Sequence, residues 1–146
     1  MAGHQPAGQL TIGDLARTTG VATSALRYWE DLGLVPAPAR VSGQRRYPPA
    51  AVRLVGLILL LQDAGFSLRD IRTLIAARTA DPAAWRDLHH RKLAELDARI
   101  ARAQAARTAI AHTLACPHDD LEACPTFTAL RAARLAGTPL HVAHEH

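Results

Sequence analysis

The spacing of apolar positions between Leu10 and Leu34 predicts two short helices. Leu10, Ile12 and Leu15 fall on one face of the first; Gly20-Val21 makes a turn; Leu26, Trp29 and Leu32 fall on the inner face of the second. Thr11 suits the cap of the first helix, with Asp14 three residues on. Gly33 suits a left-handed exit from the second. Two helices with a Gly-containing turn outline a helix-turn-helix, whose second helix enters the DNA major groove, although an ordinary helical hairpin shares this outline. Thr23, Ser24, Arg27 and Tyr28 stay polar and outward on the second helix, as side chains that meet phosphates and base edges do.

The pattern then changes period. Two prolines in Val35-Pro36-Ala37-Pro38-Ala39 exclude helix. Two short extended runs around Ser42-Gly43 predict a β-hairpin carrying Arg40, Arg45, Arg46 and Tyr47. Such a hairpin reads as a wing on the DNA backbone, or, taken alone, as an exposed basic loop. Pro48-Pro49 opens a largely buried helix over 51–64, closed by Gly65. Ser67 caps the next, with Leu68, Ile71, Leu74 and Ile75 as its stripe, and Asp81-Pro82 breaks it.

From Trp85 to about Ala115 one long helix is predicted. Leu93, Leu96, Ile100, Ala103, Arg107, Ile110 and Leu114 repeat at alternating steps of three and four, a heptad seam interrupted by Arg107. A helix of about 30 residues is roughly 45 Å long, too long for the rest of so short a chain to cover, so the expected partner is its own copy. The alternative is a solvated helix packed within the monomer. Cys116 and Cys124 follow, eight apart and each followed by Pro. A short helix is expected from Thr126 to about Leu135, then a loose tail with His141, His144 and His146. The expected organisation is a lead-in over 1–9, disordered; a winged helix-turn-helix domain over 10–80; a dimerisation helix over 81–115; and an effector-sensing loop, short helix and tail over 116–146. The fold class is mainly α.

Charge sharpens this picture. The 146 residues carry a formal net charge of +4. Residues 1–80 hold nine Arg against five acids, whereas 81–146 hold eight basic and eight acidic residues. The basic excess coincides with the helix-turn-helix, as a phosphate-facing surface requires. The first nine residues lack the apolar core of a signal peptide, and the run Leu54 to Leu61 is too short to span a bilayer, so no membrane partner and a cytoplasmic setting are expected. Two cysteines in a reducing compartment argue against a disulfide framework. With no nucleotide-binding glycine loop, no H-E-x-x-H and no Ser-His-Asp set in recognisable context, the sequence does not read as an enzyme.

Three stretches, ALRYWEDLGLVPAPAR at 25–40, GQRRY at 43–47 and GFSLRDIRTLI at 65–75, together resemble the MerR family of bacterial transcription regulators. The resemblance extends over about 10–115. It implies that Arg27 and Tyr28, and in the wing Arg45 and Tyr47, approach the DNA backbone. Two positions depart from the pattern: Ala22 stands where the family has a Ser or Thr cap, and Gln44 where the wing has Tyr. The resemblance further implies a homodimer with antiparallel long helices. It would bind a pseudo-palindromic double-stranded promoter and, with effector bound, bend and untwist it so that RNA polymerase meets both promoter elements. That is indirect readout, in which deformation costing a few kcal/mol is offset by basic contacts. A modest effector bias between two dimer shapes then acts as a switch.

The effector follows from what remains. Drug-sensing members carry a large ligand domain after the long helix, and only about 30 residues follow here. The C-P-x-D-D…C-P loop is similar to that of the copper-sensing branch. Thiolates from Cys116 and Cys124 select Cu(I), Zn(II) or heavier congeners, and His118 between them offers a nitrogen ligand suited to Zn(II). Where metal-sensing members draw a Ser or Cys from the partner's long helix, this chain has Pro82; His89 and His90 nearby offer imidazoles instead. Thiol oxidation or electrophile sensing, and an effector-independent repressor with inert cysteines, are the competing readings. Asp119, Asp120 and Glu122 are expected to raise the thiol pKa values, which favours metal over spontaneous thiol chemistry.

Overall fold

The structure, a computed structural model, describes residues 9–36 and 38–143. All of the expected lead-in except Gln9, together with His144 and His146, lies outside them. The chain divides into two compact units, residues 1–89 and 90–146.

In the first unit α1 (Ile12–Thr19) begins at a reciprocal cap. The Asp14 N–H donates to Thr11 Oγ1 at 3.0 Å, and the Thr11 N–H donates to Asp14 Oδ2 at 3.1 Å. These bonds, the side-chain one first, hold the Asp14 carboxyl below its ordinary range. Gly20 ends α1 at a φ of 73°, a left-handed conformation that glycine adopts without penalty. Helix α2 (Thr23–Asp31) starts at Ala22, which supplies no side-chain cap, and Thr23 does not replace it.

Strands β1 (Ala39–Val41) and β2 (Gln44–Arg46) form the predicted hairpin. Both turn residues have positive φ, 52° at Ser42 and 76° at Gly43, as a two-residue hairpin turn matched to strand twist requires. Leu10 and Tyr47 exchange two backbone hydrogen bonds of 2.8 Å, pinning the foot of the hairpin to the residue before the Thr11 cap.

Helices α3 (Ala50–Asp63) and α4 (Leu68–Ala80) complete the unit, the latter capped by Ser67. Helix α1 packs on α2 and α3, and α3 on α4. Leu15, Leu26, Trp29, Val55, Ile58 and Ile71 are the centre of the shared core. Helix α5 (Pro82–Ala115) starts three residues before Trp85, because Pro82 fits the first turn and Asp81 Oδ1 accepts the Ala84 N–H at 3.1 Å. Its first turns add Trp85 and Leu88 to the core of the first unit.

The second unit holds the remainder of α5, a 3-10 turn at Leu121–Ala123, α6 (Pro125–Leu135) and α7 (Leu140–Ala143). Helix α6 packs against the 3-10 turn and α7. His141 thus sits in a helical turn, not on a loose tail, because Gly137 turns the chain at a φ of 93° and Pro139 accepts from the Val142 and Ala143 N–H groups. Among the described residues no helix is long and apolar enough to cross a membrane. Of the heptad seam, Leu93, Ile100, Ala103, Arg107, Ile110 and Leu114 are all exposed and Leu96 is half-buried.

Candidate functional site

The surface of the first unit follows from which faces its core consumes. On α2, Leu26 and Trp29 are buried, so the face at a three-to-four spacing from Ser24 is left outside. Ser24 and Arg27 are exposed, Tyr28 is 55% exposed, and Thr23 is half-buried. In the hairpin Arg40 stands directly opposite Arg45, and Arg46 opposite Ala39. Like charges directly opposite one another destabilise a strand pair. Among the described residues, Arg45 has an acidic partner: its Nε lies 3.5 Å from Glu30 Oε2, an ion-pair contact without hydrogen-bond alignment. Arg40 and Arg46, among the described residues, bond within the hairpin, to the Gly43 carbonyl at 3.3 Å and to Gln44 Oε1 at 3.2 Å.

Tyr47 corrects the sequence reading. It was expected to face the DNA backbone, but it is 1% exposed, packed in the core. Its hydroxyl donates to Glu30 Oε2 at 2.8 Å. Burial first, and then that carboxylate, push its pKa up to about 12. The reason is geometric: Tyr47 closes the bridge to Leu10, so its side chain turns under the hairpin towards α2.

The second unit gathers the thiols. The Sγ atoms of Cys116 and Cys124 and a ring nitrogen of His112 all lie within 4.8 Å of one another, and both cysteines are free. His112 Nε2 is 3.2 Å from Cys124 Sγ, and its ring leans on Phe127 with centroids 5.8 Å apart. Cys124 is 1% exposed and occupies the cap position of α6. The Phe127 and Thr126 amides at that helix end face its sulfur, although they stop short of strict hydrogen-bond geometry. The Phe127 amide first, then His112, draw the thiol down to about 6 despite its burial. This reverses the expected effect of Asp119, Asp120 and Glu122, which are exposed, whereas the helix end lies against the sulfur.

His118 stands at the edge of this group, its Nδ1 3.4 Å from Cys116 Sγ on the exposed side. His89 and His90 do not join it among the described residues. In the first unit the His89 ring lies against Trp85 and Phe66, with Nδ1 2.8 Å from the Trp85 carbonyl, while His90 is exposed. The residues missed from the sequence are His112 and Glu30. His112 had a signal: it precedes Cys116 by four, in the last turn of the long helix that the loop follows. Glu30 had none, since its partners are seventeen and fifteen residues away.

The comparisons with known proteins agree with this arrangement. The model of MerR HTH family regulatory proteins matches residues 10–78, and that described as MerR, DNA binding matches residues 52–113. The chain is 45% identical over 67 residues to an HTH-type transcriptional activator SoxR homolog of Chromobacterium violaceum, covering 46% of this chain and 45% of that protein. It thus spans about half the length of that relative. It is 31% identical over 130 residues to heavy metal-dependent transcription regulator 2 of Rhizobium meliloti, covering 80% and 82%. The fold is similar to that of HiNmlR, a MerR family regulator lacking the sensor domain and bound to promoter DNA, with a TM-score of 0.55 and 20% identity over 89% of this chain and 96% of that one. The exposed face of α2 beside a basic hairpin, on a scaffold matched from residue 10 to residue 113, makes this chain a member of the MerR family of DNA-binding helix-turn-helix transcription regulators.

Proposed function

We propose that the protein works as a homodimer that grips and reshapes a promoter, switched by a thiophilic metal ion, Cu(I) or Zn(II), held by Cys116 and Cys124. The observation that carries the DNA half is the hairpin, where Arg40 faces Arg45 across the strands. With Arg45 held near Glu30, Arg40 and Arg46 keep uncompensated charge on the hairpin surface, which a phosphate lying against the hairpin would offset. Thr23, Ser24, Arg27 and Tyr28 read the groove and its edge, and Arg40, Arg45 and Arg46 hold the backbone. The exposed seam of α5 supports antiparallel pairing of two copies, which spaces two such heads for two half-sites. RNA polymerase then engages the distorted promoter in the cytoplasm.

For the effector, the support is the approach of two sulfurs and one imidazole nitrogen to within 4.8 Å, together with the similarity to the heavy metal-dependent transcription regulator 2 of Rhizobium meliloti. Zinc- or copper-type ions are the ones that thiolates and imidazole select. A second reading, thiol oxidation, is favoured by the approach of the two free sulfurs of Cys116 and Cys124 to within 4.8 Å of one another.

The test is promoter binding across a salt series. Arg27→Ala lowers the slope of log affinity against log salt by about 1, and an unchanged slope contradicts the assigned surface. Transcription in vitro with the Cys116→Ser/Cys124→Ser double variant separates the effector readings. DNA binding persists while the response to metal is lost; a normal response moves the sensor elsewhere. A response to peroxide with no response to metal selects the redox reading, and constitutive repression by the unmodified protein selects an effector-independent regulator.

A further inference from the structure

Resting on the metal reading above, we infer that His112 is a third protein ligand, so that one chain offers a two-sulfur, one-nitrogen site matched to a borderline divalent ion of the Zn(II) type. Three observations point to His112 itself. Its ring nitrogen belongs to the one compact group of three potential ligands among the described residues. Its ring is held rather than free, with Phe127 of α6 against it. It comes from the last turn of α5, and Cys116 follows directly on the end of that helix, so its sulfur is brought within 4.8 Å of the imidazole.

The separations suit a tetrahedral ion. Bonds of about 2.3 Å to sulfur and about 2.0–2.1 Å to imidazole at tetrahedral angles need roughly 3.6 Å between nitrogen and sulfur. His112 Nε2 and Cys124 Sγ stand 3.2 Å apart, so a few tenths of an ångström opens the seat. Charge points the same way. Two thiolates and a neutral imidazole carry two negative charges, which a divalent ion cancels and a monovalent ion leaves at minus one. Cys124 is buried, and residual charge there is costly. The soft monovalent ion is served by the thiolates alone, whereas imidazole adds most for a borderline ion. The acidic side chains Asp119, Asp120 and Glu122 stay exposed beside the loop and form no group of ligand atoms with the three.

The experiment is a paired competition titration of the full, reduced chain with Zn(II) and with Cu(I), each against a chelator. The proteins are the unmodified one, His112→Asn and Cys116→Ser/Cys124→Ser. X-ray absorption of the Zn(II)-loaded unmodified protein reads imidazole scattering directly and does not depend on any variant folding. The expected result is one Zn(II) per chain with two sulfurs and at least one imidazole. His112→Asn weakens Zn(II) by about tenfold or more, and Cu(I) by less than about threefold, because its two sulfur ligands are retained. The double cysteine variant holds neither ion. An all-sulfur and water shell around Zn(II), or equal Zn(II) affinity with and without the imidazole, overturns the role of His112 and leaves the metal reading intact if Cu(I) still binds through the cysteines. If neither ion binds the unmodified protein, or both bind the double variant equally well, the metal reading itself fails and this inference with it.

Discussion

The two halves of the chain treat their apolar residues in opposite ways. In the first unit, Leu15, Leu26, Val35, Val55, Ile58 and Ile71 are all fully or almost fully buried in one cluster. In the second, the buried hydrophobic positions among the described residues are Ala105 and Cys124, while Leu114 is 87% and Leu135 84% exposed. Contiguous exposed apolar side chains mark an interaction site when they exceed what a monomer ordinarily leaves bare. The first unit therefore holds itself together by its own core. On the proposed dimer, the second unit completes its packing against a second copy, and its stability then depends on protein concentration.

The strongest way to break this contrast is to charge the seam. Ile100→Glu together with Ile110→Glu should yield monomers by analytical ultracentrifugation and weaken binding to a two-half-site promoter by about 10³-fold, the scale of lost bivalency. Dimers at micromolar concentration would refute the pairing. The next effect belongs to the first unit alone. Ile58→Ala should cost about 3 kcal/mol, from lost burial plus the cavity left behind, by the same amount at every protein concentration. A cost that varies with concentration would show that the two units are not independent in this sense. The smallest concerns Tyr47. Its folded pKa of about 12 lies above the ordinary value of 10, so the stability it adds is complete below pH 10 and drains away as pH rises towards 12. Tyr47→Phe should lower stability by about 1–2 kcal/mol at pH 8, leaving Glu30 without that donor, and should flatten the alkaline decline. An unaltered alkaline slope would place the titrating group elsewhere.

The same contrast explains what could be read from residues alone. The first unit is written in local signals: Thr11 with Asp14, Ser67, Gly20, Gly33, and the Ser42-Gly43 turn each sit where capping and turn chemistry place them. The long helix α5 was equally legible, because helical spacing needs only its own residues. What escaped depended on residues distant in sequence. An arginine-tyrosine hairpin looks phosphate-facing throughout, and only the pairing of Tyr47 with Leu10 and Glu30 reveals that one of its side chains turns inward. At the thiols, attention to residues between Cys116 and Cys124 favoured His118, while the closer imidazole arrives from the helix before them. The acidity of Cys124 came from a helix end, which no count of neighbouring carboxylates reveals.

Tyr47 links the strand foot at Leu10, the core and α2 through one side chain and one pair of backbone bonds. A hairpin fastened in this way is a rigid bracket rather than a swinging arm. The separation between α2 and the two-stranded tip is cast before any partner arrives, so little ordering entropy would be spent at that joint on binding a duplex.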